Sequence, residues 1–297
     1  MKLSRVFTHI VFFLISSSLL FSQVDSVKIA VWGDSRENAD GATERIADIL
    51  LHKITDWDFQ IHTGDFTHDG KKEAWEKTLS YKGVKKLFYS GKFFMCTSNH
   101  DDNLATWDMY TRGVFPVNSM DSTTHFYSVD FKNAHVVFLD AYFSHPDSVS
   151  SWLEEYLKNV KKEEWLIGVW HNPCFKVTYK KPYIEKCKKW LKLLYKHGGD
   201  FVFHGHAHVY VRTKPVDPDG KVDLKKGIVH IVNGTGGANW KPPQEWTKIT
   251  AFTPAERSFP VITFLVLYKD HAVVRTIDCR PNSDLKIIDE TVISNRK

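Results

Sequence analysis

Beyond its first two dozen residues the chain has no apolar run of the ~20 residues a bilayer-spanning helix needs. It has no internal repeat, which excludes solenoids and propellers, and no low-complexity linker. Cysteine is scarce: Cys96, Cys174, Cys187 and Cys279 show none of the paired spacing of a structural zinc site. Cys174 and Cys187 flank a proline-containing loop and are the expected pair if a disulfide forms; the alternative is a set of buried thiols. No strong excess of one charge is present either. The formal net charge is +5, and residues 1–22 hold Lys2, Arg5 and no acid, so their loss would lower it by two. The lysine pairs 85–86, 161–162, 180–181 and 188–189 read in part as the wet faces of amphipathic helices, so no nucleic-acid partner is expected.

What remains is an ordinary globular composition: 297 residues, 42% hydrophobic, 14% aromatic and 25% charged. That suffices for one large domain or two small ones. Lys2 and Arg5 followed by the apolar run Ile10–Phe21 and a small-residue exit at Ser22 predict a secretory signal over residues 1–22. An uncleaved N-terminal anchor is the alternative. Export to a secreted or periplasmic location is expected, with no membrane association beyond it.

Along the mature chain one pattern recurs: an apolar, β-rich run ending in a polar turn. Val27–Trp32 ends at Gly33–Asp34, and Phe59–Thr63 at Gly64–Asp65. Phe93–Thr97 leads to Asn99–His100–Asp101, Trp165–Trp170 to His171, and Phe201–Phe203 to His204-Gly-His-Ala-His208. Such runs read as buried strands, and 134–140, 227–232, 261–268 and 272–278 read likewise. Helical spacing appears over 42–53, 151–160 and 183–197, the last ending at Gly198–Gly199 as a helix C-terminus should. Strands alternating with helices predict an α/β domain with much parallel sheet, whose ligands bind beyond the carboxyl ends of the strands. All five polar turns sit at such ends.

Together the turns offer Asp34, Asp65, Asn99, His171, His206 and His208. Carboxylate, amide and imidazole donors suit zinc, manganese or iron better than calcium, which prefers oxygen alone. The set is too large for one catalytic zinc and fits two ions sharing a bridging carboxylate, an arrangement that can activate water and clamp a phosphoryl group. Each motif alone is weak, since Gly-Asp is common in turns and Asn-His-Asp can cap a helix. Their joint order carries the inference.

That ordered set resembles the calcineurin-like metallophosphoesterase superfamily, whose segments run Asp-x-His, Gly-Asp, Gly-Asn-His-Asp/Glu, His and Gly-His-x-His. The resemblance covers about residues 27–280, leaving 281–297 as an expected C-terminal tail. It is strongest to the purple acid phosphatase-like branch, through Gly205-His-Ala-His-Val-Tyr-Val-Arg212, the glycine loop Asn233-Gly-Thr-Gly-Gly237, and the segments from His125 and from Val136 to Asp140. It implies a four-layer α/β/β/α sandwich with a central double β-sheet. It also implies a centre of two divalent or trivalent ions (Fe, Mn or Zn): Asp34 and His208 on the first, Asp65 bridging, and Asn99, His171 and His206 on the second. His100 would contact the phosphate and protonate the leaving group, oriented by Asp101.

The chain departs from the pattern in places. Arg36 stands where many members carry a ligating His, and arginine cannot ligate. In purple acid phosphatases a Tyr three residues after the bridging Asp replaces that ligand; here the position is His68, a candidate to complete the first shell. Arg36 is then a candidate phosphate clamp, with a structural ion pair as its alternative. Ser98 replaces the usual Gly before Asn99. His62, His135 and His230 read as core histidines, His204 as a neighbour of the site, and Trp240 and Trp246 as either packing or substrate-stacking residues. The resulting expectation is hydrolysis of a small phosphorylated substrate, a phosphomonoester. The competing readings are a phosphodiesterase acting on nucleotides or lipid head groups, and a catalytically weak member that only binds phospho-ligands.

Overall fold

The computed structural model describes residues 26–117, 120, 122–242 and 244–295. The signal segment 1–22 lies outside the described residues. Two mixed sheets lie between helices. The first contains β1 (Val27–Trp32), β2 (Phe59–His62), β3 (Phe93–Met95), β11 (Val261–Leu267), β12 (His271–Asp278) and β13 (Ile287–Ser294), in the order β13-β12-β11-β1-β2-β3. The second contains β4 (Tyr127–Phe131), β5 (Ala134–Phe138), β6 (Trp165–Val169), β7 (Phe201–His204), β8 (Tyr210–Thr213), β9 (Val229–Asn233) and β10 (Thr250–Phe252), in the order β10-β8-β9-β7-β6-β5-β4. Each sheet has a parallel block: β1-β2-β3 forms one end of the first, with antiparallel strands on its other side, and β5-β6-β7-β9 forms the centre of the second, with antiparallel strands on both sides.

Period-two alternation decides which side each residue serves. Val136, Phe138, Trp165, Ile167, Val169, Phe201 and Phe203 point into a core shared with Ile29, Val31, Ile61 and Leu265 of the other sheet. Their neighbours Val137, Leu166, Trp170 and Val202 face outward under α5 (Pro146–Leu157) and α6 (Ile184–Lys196). On the other flank α1 (Ala42–Asp48), α2 (Lys72–Ser80) and α3 (Lys82–Phe88) bury Ile46, Trp75, Leu79, Val84 and Leu87. This is the expected four-layer sandwich. At about 1.5–3 kcal/mol per fully buried large apolar side chain, the double-sheet interior dominates the favourable side of folding. Among the described residues no helix is long and apolar enough to cross a membrane.

The structure adds elements that periodicity did not reveal: α2, α3, α4 (Leu104–Thr111) and the short strands β8 and β10. The helix expected over 42–53 ends in a π-helical turn at Ile49–Lys53. The expectation of a tail over 281–297 is corrected: residues 287–294 are β13, antiparallel to β12. Its pattern hid it, because the one buried side chain in the strand is a carboxylate, Asp289. Asp289 receives two hydrogen bonds from Arg212, both 2.7 Å, and one from the Tyr210 hydroxyl at 2.8 Å, tying the edge of one sheet to the other. A buried carboxylate needs such donors, so β13 is held by a polar pairing that a hydrophobicity pattern does not register.

Candidate metal centre

The polar turns after β1, β2, β3, β6 and β7 meet at one end of the sandwich, where the carboxyl ends of parallel strands from both sheets converge. Asp34, Asp65 and His208 each offer a ligand atom within 4.8 Å of one another, all three buried. Asp34 and Asp65 follow directly on Gly33 and Gly64 at strand ends, and both take left-handed backbone angles, φ 54° and 53°. His206 does so as well, at φ 64°. Non-glycine residues seldom adopt this region, and such outliers concentrate at functional sites. The turns are crowded: a Cβ at Gly205 would lie 2.3 Å from Asp34 Oδ2, so only glycine lets β7's turn close over that carboxylate. The His206 amide instead donates to Asp34 Oδ2 at 3.1 Å.

The histidine tautomers follow from their partners. His171 Nδ1 lies 2.7 Å from the Thr63 carbonyl and His208 Nδ1 2.8 Å from the Asn239 carbonyl. A carbonyl only accepts, so both Nδ1 atoms donate and each Nε2 is the atom turned into the site; on His208, a neutral ring, it carries the lone pair. Both Nε2 atoms are aimed at carboxylates: His171 Nε2 is 3.1 Å from Asp65 Oδ1, and His208 Nε2 is 3.7 Å from Asp34 Oδ1. Asp34 Oδ1 and His171 Nε2 are buried without a well-formed hydrogen bond. The His208 lone pair and the Asp34 carboxylate repel in a buried site unless a cation stands between them. The donor set therefore fits a metal ion, and the backbone carbonyls supply the outer partners that such ligands use. Burial lowers His206 to about 3 and His208 to about 4, so both rings are neutral near pH 7, the form in which an imidazole can bind a metal. Burial raises Asp34 well above the usual carboxylate range, so its charge needs a neighbouring cation. For His171, burial acts downward, but the charge of Asp65 outweighs it and lifts the ring to about 9, so near pH 7 its Nε2 faces Asp65 as a protonated nitrogen unless a metal ion takes the proton's place.

Asn99 completes the cluster: its Oδ1 lies 3.0 Å from His206 Nδ1. The structure thus brings Asp34, Asp65, Asn99, His171, His206 and His208 together. Arg36 joins them with its Nε 3.4 Å from Asp65 Oδ2 and its Nη1 2.8 Å from Glu37.

Two expectations need correction. His68 does not reach the Asp34–Asp65–His208 group; its side chain is exposed. The turn after β2 points the ring outward, toward the His100 ring 6.2 Å away. Asp101 does not orient His100. It is fully buried and accepts from the amides of Phe66 (2.9 Å) and Thr67 (2.8 Å) and from the hydroxyls of Thr67 (2.7 Å) and Ser98 (2.7 Å). The partner of His100 is the main chain of His68: Nδ1 donates to that carbonyl at 2.6 Å, leaving Nε2 free, 4.0 Å from Asp65 Oδ2.

Sequence reasoning also missed several supports. Ser98 accepts from the Asp65 amide at 2.8 Å while donating to Asp101, so a hydroxyl in place of glycine braces the turn. The carbonyls of Thr63 and Asn239 carry no side-chain signature and could not have been found. The glycine loop wraps the first motif, with Gly236 N on Gly33 O at 2.7 Å and Ala238 N on Asp34 O at 2.7 Å. Asn233, fully buried, donates to the Val31 carbonyl and the Thr263 hydroxyl, so its sequon is inaccessible to glycosylation. Cys174 and Cys187 form the expected disulfide, while Cys96 and Cys279 are free and buried. His62 and His230 are core rings, and His204 pairs with His230 through Nε2 and Nδ1 at 3.0 Å. His135 is half-buried at the sheet face between Asp130 and Glu164.

Comparison with known proteins agrees with this geometry. A family model described as calcineurin-like phosphoesterase matches residues 27–210. Purple acid phosphatase 15 of Arabidopsis thaliana is 36% identical over 185 residues, 56% of this chain and 33% of that one. The chain spans about a third to a half of the length of the purple acid phosphatases it matches. Among solved structures, a purple acid phosphatase from yellow lupin (Lupinus luteus) seeds superposes with a TM-score of 0.69 at 16% identity, over 92% of this chain and 54% of that one. A dimetal phosphatase from Danio rerio gives 0.62 at 14% identity, over 91% and 99%.

Proposed function

Since the chain belongs to the calcineurin-like phosphoesterase family, we propose that it hydrolyses phosphate monoesters at a centre of two metal ions. The observation that carries the reading is the buried His208 lone pair aimed at the unpartnered Asp34 Oδ1, with His171 Nε2 turned on Asp65 beside it. Asp34 and His208 would hold one ion, Asn99, His171 and His206 the other, with Asp65 between them. When bound, such ions polarise phosphoryl oxygens and lower the pKa of water at the site.

The chain's own groups do the rest. Arg36 binds a non-bridging phosphoryl oxygen: its guanidinium is only 11% exposed, lies beside Asp65, and keeps a buried Nε with no hydrogen-bond partner. His100 delivers a proton from Nε2 to the leaving oxygen, while its Nδ1–H stays on the His68 carbonyl and fixes the ring plane. Asp101 and Ser98 hold the 65–67 turn so that Asp65 keeps its left-handed backbone. We place the enzyme outside the cytoplasm, in keeping with the apolar run after Lys2 and Arg5 and with the Cys174–Cys187 disulfide.

The test is turnover of p-nitrophenyl phosphate and its bis-ester by metal-reconstituted protein, wild type and Asp65→Asn, with metal content measured in both. The monoester should be preferred, and Asp65→Asn should lose both metal and rate. A metal-loaded wild type that turns over neither ester refutes hydrolysis; a preference for the bis-ester makes the protein a diesterase.

A further inference from the structure

A groove of about 660 Å³ runs between residues 176–179 and residues 241, 242, 244, 245 and 247. Its walls are joined where the Tyr179 amide donates to Gln244 Oε1 at 2.9 Å. The groove adjoins the candidate metal centre through Tyr179, whose hydroxyl accepts from the His208 amide at 3.3 Å. The wall carrying Tyr179 is anchored by the Cys174–Cys187 disulfide to α6 and by the Tyr183 amide on the Pro173 carbonyl at 2.9 Å.

The charge in this groove is one-sided. The Tyr179 ring is 44% exposed, with the ammonium of Lys180 5.8 Å and that of Lys241 5.9 Å from its centroid. Neither lysine has a carboxylate within 4.0 Å among the described residues, and both are half-buried. Contact with a ring face holds an ammonium in place but leaves its N–H donors unused. Lys241 and Lys176 line the groove while Lys180 stands beside it against Tyr179, and among the described residues Glu245 is the one acid of the lining.

Resting on the phosphoesterase reading, we propose that this groove is the leaving-group site and selects phosphate esters whose leaving group carries a second negative charge on or next to a planar ring. The phosphoryl group being transferred sits at Arg36 and the metal ligands. The far part of the substrate lies along Tyr179, with its anionic group between Lys180 and Lys241. Two ammonium groups fixed over an aromatic face, with no carboxylate partner, match an anion that arrives with the ligand.

The test uses binding alone, so it does not depend on turnover. Phenylphosphonate and 4-phosphonobenzoate, which differ by one carboxylate, are titrated calorimetrically into the metal-reconstituted full chain. Wild type should prefer 4-phosphonobenzoate by about ten- to a hundredfold, the range of one or two charge-assisted hydrogen bonds. In Lys180→Ala/Lys241→Ala that ratio should fall toward one, and in Glu245→Gln it should rise. Because the readout is a ratio within each variant, partial loss of folded protein cancels. Equal affinities in wild type, or a ratio that survives the double substitution, overturn the proposal. Turnover of p-nitrophenyl phosphate is scored separately: its absence with the carboxylate preference intact sinks hydrolysis and leaves the groove assignment standing.

Discussion

Asp101→Asn separates two accounts of one carboxylate. If Asp101 braces the 65–67 turn, the substitution damages the fold around Asp65; if it orients His100, the damage is confined to proton transfer. In the structure each carboxylate oxygen accepts one main-chain amide and one hydroxyl: Oδ1 from Thr67 N and Thr67 Oγ1, Oδ2 from Phe66 N and Ser98 Oγ. An asparagine presents an NH2 to one of these pairs. The hydroxyl can rotate and accept, but the amide facing it is left buried and unpaired, at about 1–3 kcal/mol. The two remaining bonds lose their charge assistance, roughly another 1 kcal/mol. Relief of repulsion with Asp65 acts the other way, leaving about 2–3 kcal/mol of destabilisation. With an m-value of about 2–3 kcal/mol/M, the urea midpoint of metal-free protein should fall by ~1 M. Amide exchange at Phe66 or Thr67 should accelerate with it. A midpoint within about 0.3 M of wild type, together with a displaced pH–rate profile, would refute the bracing account and restore the orienting role.

Other outcomes follow from the same geometry. His68→Ala should bind metal with wild-type stoichiometry and affinity, because the ring stands outside the ligand group; a lost ion in calorimetric titration would return His68 to the first shell. Arg36→Ala should raise KM for phosphate esters by about ten- to a hundredfold while metal stays bound, and an unchanged KM would mark Arg36 as a partner of Asp65 and Glu37 alone. Removing metal by chelation should abolish turnover and lower the melting temperature, re-addition restoring both; at 100 times Kd a bound ion stabilises by about 2.7 kcal/mol, so an unaltered melt argues against a metal centre. Asp130 at 2.9 Å and Glu164 at 3.0 Å raise the pKa of His135 above 6.5. A raised histidine pKa contributes stability fully present below 6.5 and lost as pH climbs through the folded-state value. The stability gap between wild type and His135→Gln should therefore close as pH rises above 6.5, by under ~1 kcal/mol given solvent screening. A gap constant across that range would show that the ring acts by packing.

Much of the molecule was decided locally. Runs of β-branched and aromatic residues ending at Gly-Asp, Asn-His-Asp and Gly-His-x-His placed the strands and the ligand turns, because a buried parallel strand must be apolar throughout and the chemistry must sit where it ends. The pair Cys174–Cys187 was legible for a related reason, the short span between them. What local sequence did not determine were contacts between residues remote in the chain and contacts made by the main chain. β13 reads as a tail until Arg212, 77 residues earlier, supplies the donors for Asp289. The roles of His68 and Asp101 depend on backbone atoms, a carbonyl in one case and two amides in the other, and backbone atoms are the same at every position. Sequence thus determined which side chains could bind metal and where the strands end. Only the tertiary structure decided which way each ring nitrogen points, since an imidazole is oriented by whatever carbonyl the fold brings to its other nitrogen.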